Sequence, residues 1–129
     1  MKVNGYHHIG LHVADMEKSL AFYRDGFGGK IVHEFNMGDT GKKIYLIDLG
    51  GNAVIELIPR GTEKLPDSPK WEHVALNVDD ARAAYDLAIS LGAESKSAPV
   101  DANLGGLSVT LAFVYGPDKE VLEFFQVKN

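Results

Sequence analysis

The sequence predicts an α+β fold in which residues 1–129 form one domain of two βαβββ modules, at about 1–60 and 70–129. The main observation is an internal repeat: HIGLHVAD from His8 to Asp15 resembles HVALNVDD, which begins 65 residues later at His73. A second pair, AVIEL around Glu56 and EVLEF around Glu123, lies 67 residues apart. Two copies nearly in register indicate a duplication, and two units are too few for a solenoid.

The first half is predicted to start with a strand over 6–13, where apolar and polar side chains alternate. Asp15 is a typical helix N-cap, and Gly28 with Gly29 ends the helix. An apolar stripe on that helix is predicted at Met16, Leu20, Tyr23 and Phe27. Three further strands, separated by turn-rich segments, are predicted at 30–35, 43–48 and 53–58.

The second half repeats this order after a polar linker over 60–70. A strand over 72–78 precedes a helix over 81–91, which Gly92 ends. The predicted apolar face of this helix consists of Ala84, Leu87, Ala88 and Leu91. Strands are predicted near 94–98, 108–114 and 121–127, with a hairpin turn at 116–119.

Composition narrows the range of functions. The sequence has 13 Lys and Arg residues and 18 Asp and Glu residues, so the formal net charge is −5. An acidic chain with scattered lysines does not have the basic surface that binds nucleic acid. No apolar run reaches the roughly 20 residues that span a membrane, and residues 1–6 do not read as a signal peptide. There is no cysteine, which is compatible with the expected cytoplasmic location and excludes thiol catalysis and thiolate-bound metal.

Strand alternation places the repeated His and Glu residues on equivalent faces. His8 and Glu56 belong to the first and last strands of one half, and His73 and Glu123 to those of the other. A carboxylate among Val, Ile and Phe is costly unless it is paired or coordinated, and here the costly pair occurs twice. The sequence therefore predicts one divalent metal bound by these four residues.

Nickel, cobalt, manganese and zinc all suit such nitrogen and oxygen ligands. The same faces also carry His12, Asn77 and Phe125, which are predicted to line a substrate pocket. Structural interpretations remain open for single residues, because a lone histidine is more often a satisfied core residue and a lone glutamate can face solvent. His7 is predicted to lie on the helix-packing or surface side, and His33 on an exposed strand.

These segments resemble the vicinal-oxygen-chelate superfamily, which includes glyoxalase I, bleomycin-resistance proteins and extradiol dioxygenases. The resemblance is carried by residues 8–15, 54–57, 73–79 and 116–124, together with SLAFY from Ser19 and LAF from Leu111. It covers nearly the whole chain and is nearest in pattern to lactoylglutathione lyase-like proteins.

The resemblance implies a homodimer in which His8 and Glu56 of one chain meet His73 and Glu123 of the other. It implies proton transfer next to a carbonyl chelated by the metal, with Glu123 as the base and Glu56 sharing that role. Glutathione-dependent relatives carry arginine where His12 stands and asparagine where Arg60 stands. Because of these departures, the sequence does not identify the thiol to which the small carbonyl substrate is conjugated. Arg60 is a further candidate for the substrate pocket.

Three functions follow from this resemblance. The first is a glyoxalase I-like lyase. The second is a related enzyme, similar to methylmalonyl-CoA epimerase or to a dioxygenase. The third is a metal-free protein that binds a small molecule or an antibiotic.

Overall fold

The structure is a computed structural model that describes residues 1–60, 71–115 and 121–129. The chain divides into two compact units, a first unit of His8–Glu72 and a second unit of Met1–His7 with His73–Asn129. The predicted α+β fold is confirmed, because a strand, a helix and three strands follow one another twice. The linker after Arg60 and the hairpin turn at 116–119 lie outside the described residues.

The first module contains four strands and two consecutive helical segments. Its elements are β1 (Val3–Val13), α1 (Met16–Leu20), the π-helical segment Ala21–Gly26, β2 (Lys30–Asn36), β3 (Lys43–Asp48) and β4 (Val54–Pro59). The strands lie side by side in the order β2-β3-β4-β1, and β1 is parallel to β4. The residues of β1 up to His7 belong to the second unit, so the first unit uses the rest of this strand.

The second module has the same order of elements. They are β5 (Trp71–Val78), α2 (Ala81–Ser90), β6 (Glu94–Leu104), β7 (Leu107–Tyr115) and β8 (Val121–Val127). The strand order is β5-β8-β7-β6, with β5 parallel to β8 and the other neighbours antiparallel. Neither helix of the described residues is long and apolar enough to cross a membrane.

Helix α1 begins where the sequence predicts, because the Asp15 carboxylate accepts a hydrogen bond from Lys18 N at 3.2 Å. The expected α-helix over the following turns is wrong, since Phe27 N donates to Phe22 O at 3.1 Å, a five-residue step. This wider turn rotates the end of the predicted stripe. Leu20 is buried as predicted, but Phe27 is 56% exposed.

The apolar face predicted for α2 is also partly wrong. Leu91 is 78% exposed and Leu87 is 38% exposed, whereas Ala84 is buried as predicted. The face that packs on the sheet consists of Ala81, Ala84, Tyr85 and Ala88. Gln126 Oε1 accepts a hydrogen bond from Ala81 N at 3.0 Å, which fixes the start of the helix. The three alanines of this face let the helix lie close to the sheet.

Strand β6 extends six residues beyond its predicted end, to Leu104. Its pairing with β7 shifts register twice, between Ser95 and Ser97 and between Ser97 and Val100. These bulges accommodate Pro99, which the edge position of β6 also tolerates. The sequence after Ala98 does not show the regular alternation of a strand, so this part of β6 was not predicted.

Each helix covers one face of its own sheet. In the first unit, Leu11, Ile47 and Leu57 form a buried cluster with Leu20 of α1. In the second unit, α2 packs against a cluster that includes Phe124. The opposite face there holds a separate cluster of Ala75, Val109 and Phe125. Adjacent residues therefore point to opposite faces of the sheet, as the alternation predicts.

Gly29 lies where the packing leaves no room for a side chain. A Cβ atom there would lie 2.6 Å from Tyr23 O and 2.8 Å from Ile47 Cγ2. We expect Gly29→Ala to lower the free energy of unfolding by about 1–3 kcal/mol, because backbone and core must shift apart. Urea unfolding monitored by circular dichroism measures this loss.

Gly26→Ala is the matched control, because its Cβ would lie 3.4 Å from Ala21 O. Equal unfolding free energies for Gly29→Ala and Gly26→Ala would contradict the close packing of the π-helical segment.

Candidate metal centre

Each unit contains one buried pair of histidine and glutamate. In the first unit, His8 Nε2 lies 3.7 Å from Glu56 Oε1. In the second unit, His73 Nε2 lies 3.1 Å from Glu123 Oε1. All four residues are buried, with relative exposures between 1% and 8%. The structure therefore brings together the partners predicted within each half.

The two pairs occupy the same place in the sheet register. Gly10, two residues after His8, lies opposite Glu56 on the parallel strand. Ala75, two residues after His73, lies opposite Glu123 in the same way. A small residue faces each glutamate, which leaves room beside the carboxylate. The sequence repeat is thus also a repeat of local geometry.

The geometry of each pair fits ligation of a divalent ion. Ligand atoms about 2.1 Å from one ion lie about 3.0 Å apart at a right angle and about 3.4 Å apart at the tetrahedral angle. The 3.1 Å separation between His73 Nε2 and Glu123 Oε1 lies within that range, and the 3.7 Å separation in the first unit lies slightly above it. Imidazole nitrogen with carboxylate oxygen is a donor set that suits manganese, cobalt, nickel and zinc.

The aromatic side chain of Phe113 lies beside the His–Glu pair of the second unit. The Phe113 ring meets the His73 ring edge-on, with centroids 5.7 Å apart. Phe113 also lies opposite Glu123 in the register of β7 and β8. The alternation along β7 could have indicated Phe113 from the sequence, since LAF from Leu111 was among the segments that carry the family resemblance. It was not predicted as a site residue.

Phe125 is buried on the same face of β8 as Glu123, and the His7 ring packs on it with centroids 4.2 Å apart. The placement predicted for His7 is therefore wrong. The His7 side chain packs against Phe125, and not against a helix or solvent as expected. His33 is half-buried beside Phe35, with ring centroids 5.9 Å apart, instead of exposed.

The remaining pocket candidates are half-buried. His12 is opposite Ile58 in the first unit, and Asn77 is opposite Phe125 in the second unit. Arg60 lines a cavity of about 430 Å³ beside α1, together with Lys42 and Lys43. His8 and Glu56 do not line that cavity. A pocket role for His12, Asn77, Phe125 and Arg60 stays a prediction.

A charged cluster on the helix side joins β6, β7 and α2. The Asp101 carboxylate accepts hydrogen bonds from Thr110 Oγ1 at 2.6 Å, from Arg82 Nη1 at 3.0 Å and from Lys128 Nζ at 3.3 Å. These donors, led by Arg82, hold the pKa of Asp101 well below its usual value. The contacts fix β6 against the strands that carry Phe113 and Glu123.

Residues 5–124 match the family model of the Glyoxalase/Bleomycin resistance protein/Dioxygenase superfamily. The chain belongs to this superfamily. The uncharacterized protein YwbC of Bacillus subtilis is 33% identical over 92% of the chain and 94% of its own length. Lactoylglutathione lyase of Salmonella typhimurium is 29% identical over 95% of the chain and 92% of its length.

Solved structures share the superfamily fold. Methylmalonyl-CoA epimerase of Mycobacterium tuberculosis matches with a TM-score of 0.76 and 22% identity, covering 98% of the chain and 90% of the epimerase. The Mn(II)-bound glyoxalase of Novosphingobium aromaticivorans matches with a TM-score of 0.71 and 20% identity, covering 97% of the chain and 39% of that protein. At these identities the likeness is one of fold.

Proposed function

We propose that the chain is a metal-dependent lyase or isomerase of the lactoylglutathione lyase type, which moves a proton at the carbon next to a carbonyl. The observation that carries this proposal is the buried His–Glu pair that occurs once in each unit. Burying two carboxylates among apolar side chains costs free energy of folding unless they are paired or coordinated, and coordination of a metal ion would offset that cost. The similarity to lactoylglutathione lyases over nearly the full chain favours this chemistry.

The proposed ligands of one divalent ion are His8, Glu56, His73 and Glu123. Two carboxylates balance the charge of the ion, and two neutral imidazoles supply nitrogen. The Mn(II)-bound glyoxalase with the same fold supports a metal of this kind. Nickel, cobalt, manganese and zinc fit the donor set equally well.

A bound ion would polarise the substrate carbonyl and make the neighbouring C–H bond more acidic. Glu123 is the proposed base: its carboxylate takes the proton from that carbon and returns it to the former carbonyl carbon. A hemithioacetal of a 2-oxoaldehyde then becomes a 2-hydroxyacyl thioester with no change in atom count. Glu56 holds the equivalent position in the first module and shares the role. Glu123 is only 3% exposed, and Ala75 lies opposite it on β5.

The assembly and location follow from the family resemblance. We propose a cytoplasmic homodimer in which each metal site takes one His–Glu pair from each chain. The proposed substrate is a small carbonyl compound, either free or conjugated to a thiol. His12, Asn77, Phe125 and Arg60 are the proposed contacts to it.

Methylmalonyl-CoA epimerase-like activity is the second candidate. Return of the proton to the carbon that lost it would racemise an acyl-CoA ester, and the same glutamates would serve that reaction. The epimerase of M. tuberculosis with this fold supports this alternative. Racemisation of acyl-CoA without turnover of hemithioacetals would favour it over the lyase.

The metal content of His73→Ala tests the ligand set. We expect about one divalent ion per wild-type chain and at least about tenfold weaker binding in His73→Ala, because a nitrogen ligand is lost. Elemental analysis after incubation with nickel, cobalt, manganese or zinc measures this. His33→Ala is the matched control, because it removes a half-buried histidine of β2 that is not one of the proposed ligands and whose ring lies beside Phe35. A wild-type protein that takes up none of these metals would favour the metal-free binding protein instead.

Turnover by Glu123→Gln tests the base. We expect kcat for methylglyoxal hemithioacetals to fall about 100-fold or more, because the amide cannot accept the proton. The assay uses protein with measured metal content, so that loss of metal is separated from loss of the base. Glu17→Gln removes an exposed carboxylate from α1 and should leave kcat unchanged. If Glu123→Gln with bound metal keeps the wild-type kcat, Glu123 is not the base and another residue must accept the proton.

Heterodimers of His8→Ala with His73→Ala test the shared site. Each chain carries a different affinity tag, and two purification steps isolate the mixed dimer. If each site uses both chains, one site of the heterodimer is intact and the other lacks both histidines. Metal content per chain should then be about half that of the wild type. Metal content as low as in either homodimeric variant would show that each site is built within one chain.

A further inference from the structure

Lys96 lies close to the metal-ligand pair of the second unit. Its ammonium nitrogen sits 5.6 Å from the centroid of the Phe113 ring, within the range of a cation–π contact. The same ring meets His73 edge-on at 5.7 Å and lies opposite Glu123. One aromatic ring therefore separates the cation from the proposed ligand and base.

A β-bulge gives Lys96 this orientation. Ser95 pairs with Val114 and Ser97 pairs with Phe113, so Lys96 is the extra residue between two consecutive partners on β7. Bulges of this kind redirect side chains and are frequent next to active sites. Here the bulge allows the ammonium to lie over Phe113 instead of extending along the edge of the sheet.

Lys96 differs from other cations of the second unit. Arg82 and Lys128 both contact Asp101, whose pKa is lowered by these donors. In the part of the chain that the structure describes, Lys96 makes a ring contact but no hydrogen bond or ion pair. Its side chain is exposed, so its three N–H donors remain accessible to a ligand.

We propose that Lys96 binds the negatively charged group of an anionic carbonyl substrate and thereby sets substrate specificity. This inference rests on the proposed function, which places the reacting carbon beside Glu123. Strand β6 lies two strands from β8, which is about 10 Å. The substrate class is thus a carbonyl compound whose carboxylate is joined to the reacting carbon by a short chain that crosses the Phe113 ring.

The charge of the site explains why such a cation is needed. Glu123 and Glu56 balance the two charges of the proposed ion, so the ion and its two carboxylates together have no net positive charge that would attract a substrate anion. The cationic residue predicted from the sequence, Arg60, lines a cavity beside α1 that neither His8 nor Glu56 lines. Lys96 instead lies on the face that carries the His73–Glu123 pair.

Two hemithioacetals of methylglyoxal test the proposal, one formed with 3-mercaptopropionate and one with the neutral 2-mercaptoethanol. We expect Lys96→Met to raise KM for the carboxylate substrate about tenfold, because a charge-assisted hydrogen bond is lost. KM for the neutral substrate and kcat for both should not change. Lys96→Arg should restore the wild-type KM. Lys30→Met, which removes an exposed cation of β2, is the control for net charge and should behave as wild type.

Binding of the unreactive 3-(methylthio)propionate to the metal-free protein, followed by NMR, provides a readout independent of turnover. The dissociation constant should rise about tenfold in Lys96→Met. Equal binding by wild type and Lys96→Met, or a KM change of the same size for both hemithioacetals, would overturn the proposal. If neither hemithioacetal reacts, the proposed function fails, and the NMR titration alone decides whether Lys96 binds the anion.

Discussion

Each module depends on a carboxylate that is buried among apolar side chains. Glu56 and Glu123 lie on the last strand of their modules, where water cannot solvate their charge. Each is tolerated because a histidine nitrogen lies beside it and because a small residue, Gly10 or Ala75, faces it. The remaining architecture keeps these groups in place, since the helix occupies the opposite face of the sheet.

The strand pattern and both His–Glu pairs could be predicted from the sequence for a physical reason. Side chains alternate strictly along a strand, so the repeated spacing of His8 and His73 fixes the face on which each one lies. The parallel pairing of β1 with β4, and of β5 with β8, then brings each glutamate beside its histidine. The cost of burying two carboxylates extended this prediction to a metal, and the superfamily resemblance extended it to an activity; apolar alternation by itself specifies neither.

The features that were missed depend on contacts between elements. The π-helical turn that exposes Phe27 arises from a five-residue hydrogen bond that helical periodicity does not reveal. The face of α2 follows from the Gln126 contact at its first residue, 45 positions away. The position of Lys96 depends on a register shift against β7, and no pattern within β6 alone contains it.

The two modules are alike at their His–Glu pairs but differ one strand further out. Leu46 lies opposite Glu56, and Phe113 lies opposite Glu123 in the equivalent register. The two halves therefore differ in what lies beside the glutamate, although each contains the same His–Glu pair. Leu46 gives Glu56 an aliphatic neighbour with no polar group. Phe113 lies between Glu123 and the exposed cation Lys96. Residues around Phe113 can change to accommodate new ligands while the first pair keeps its surroundings.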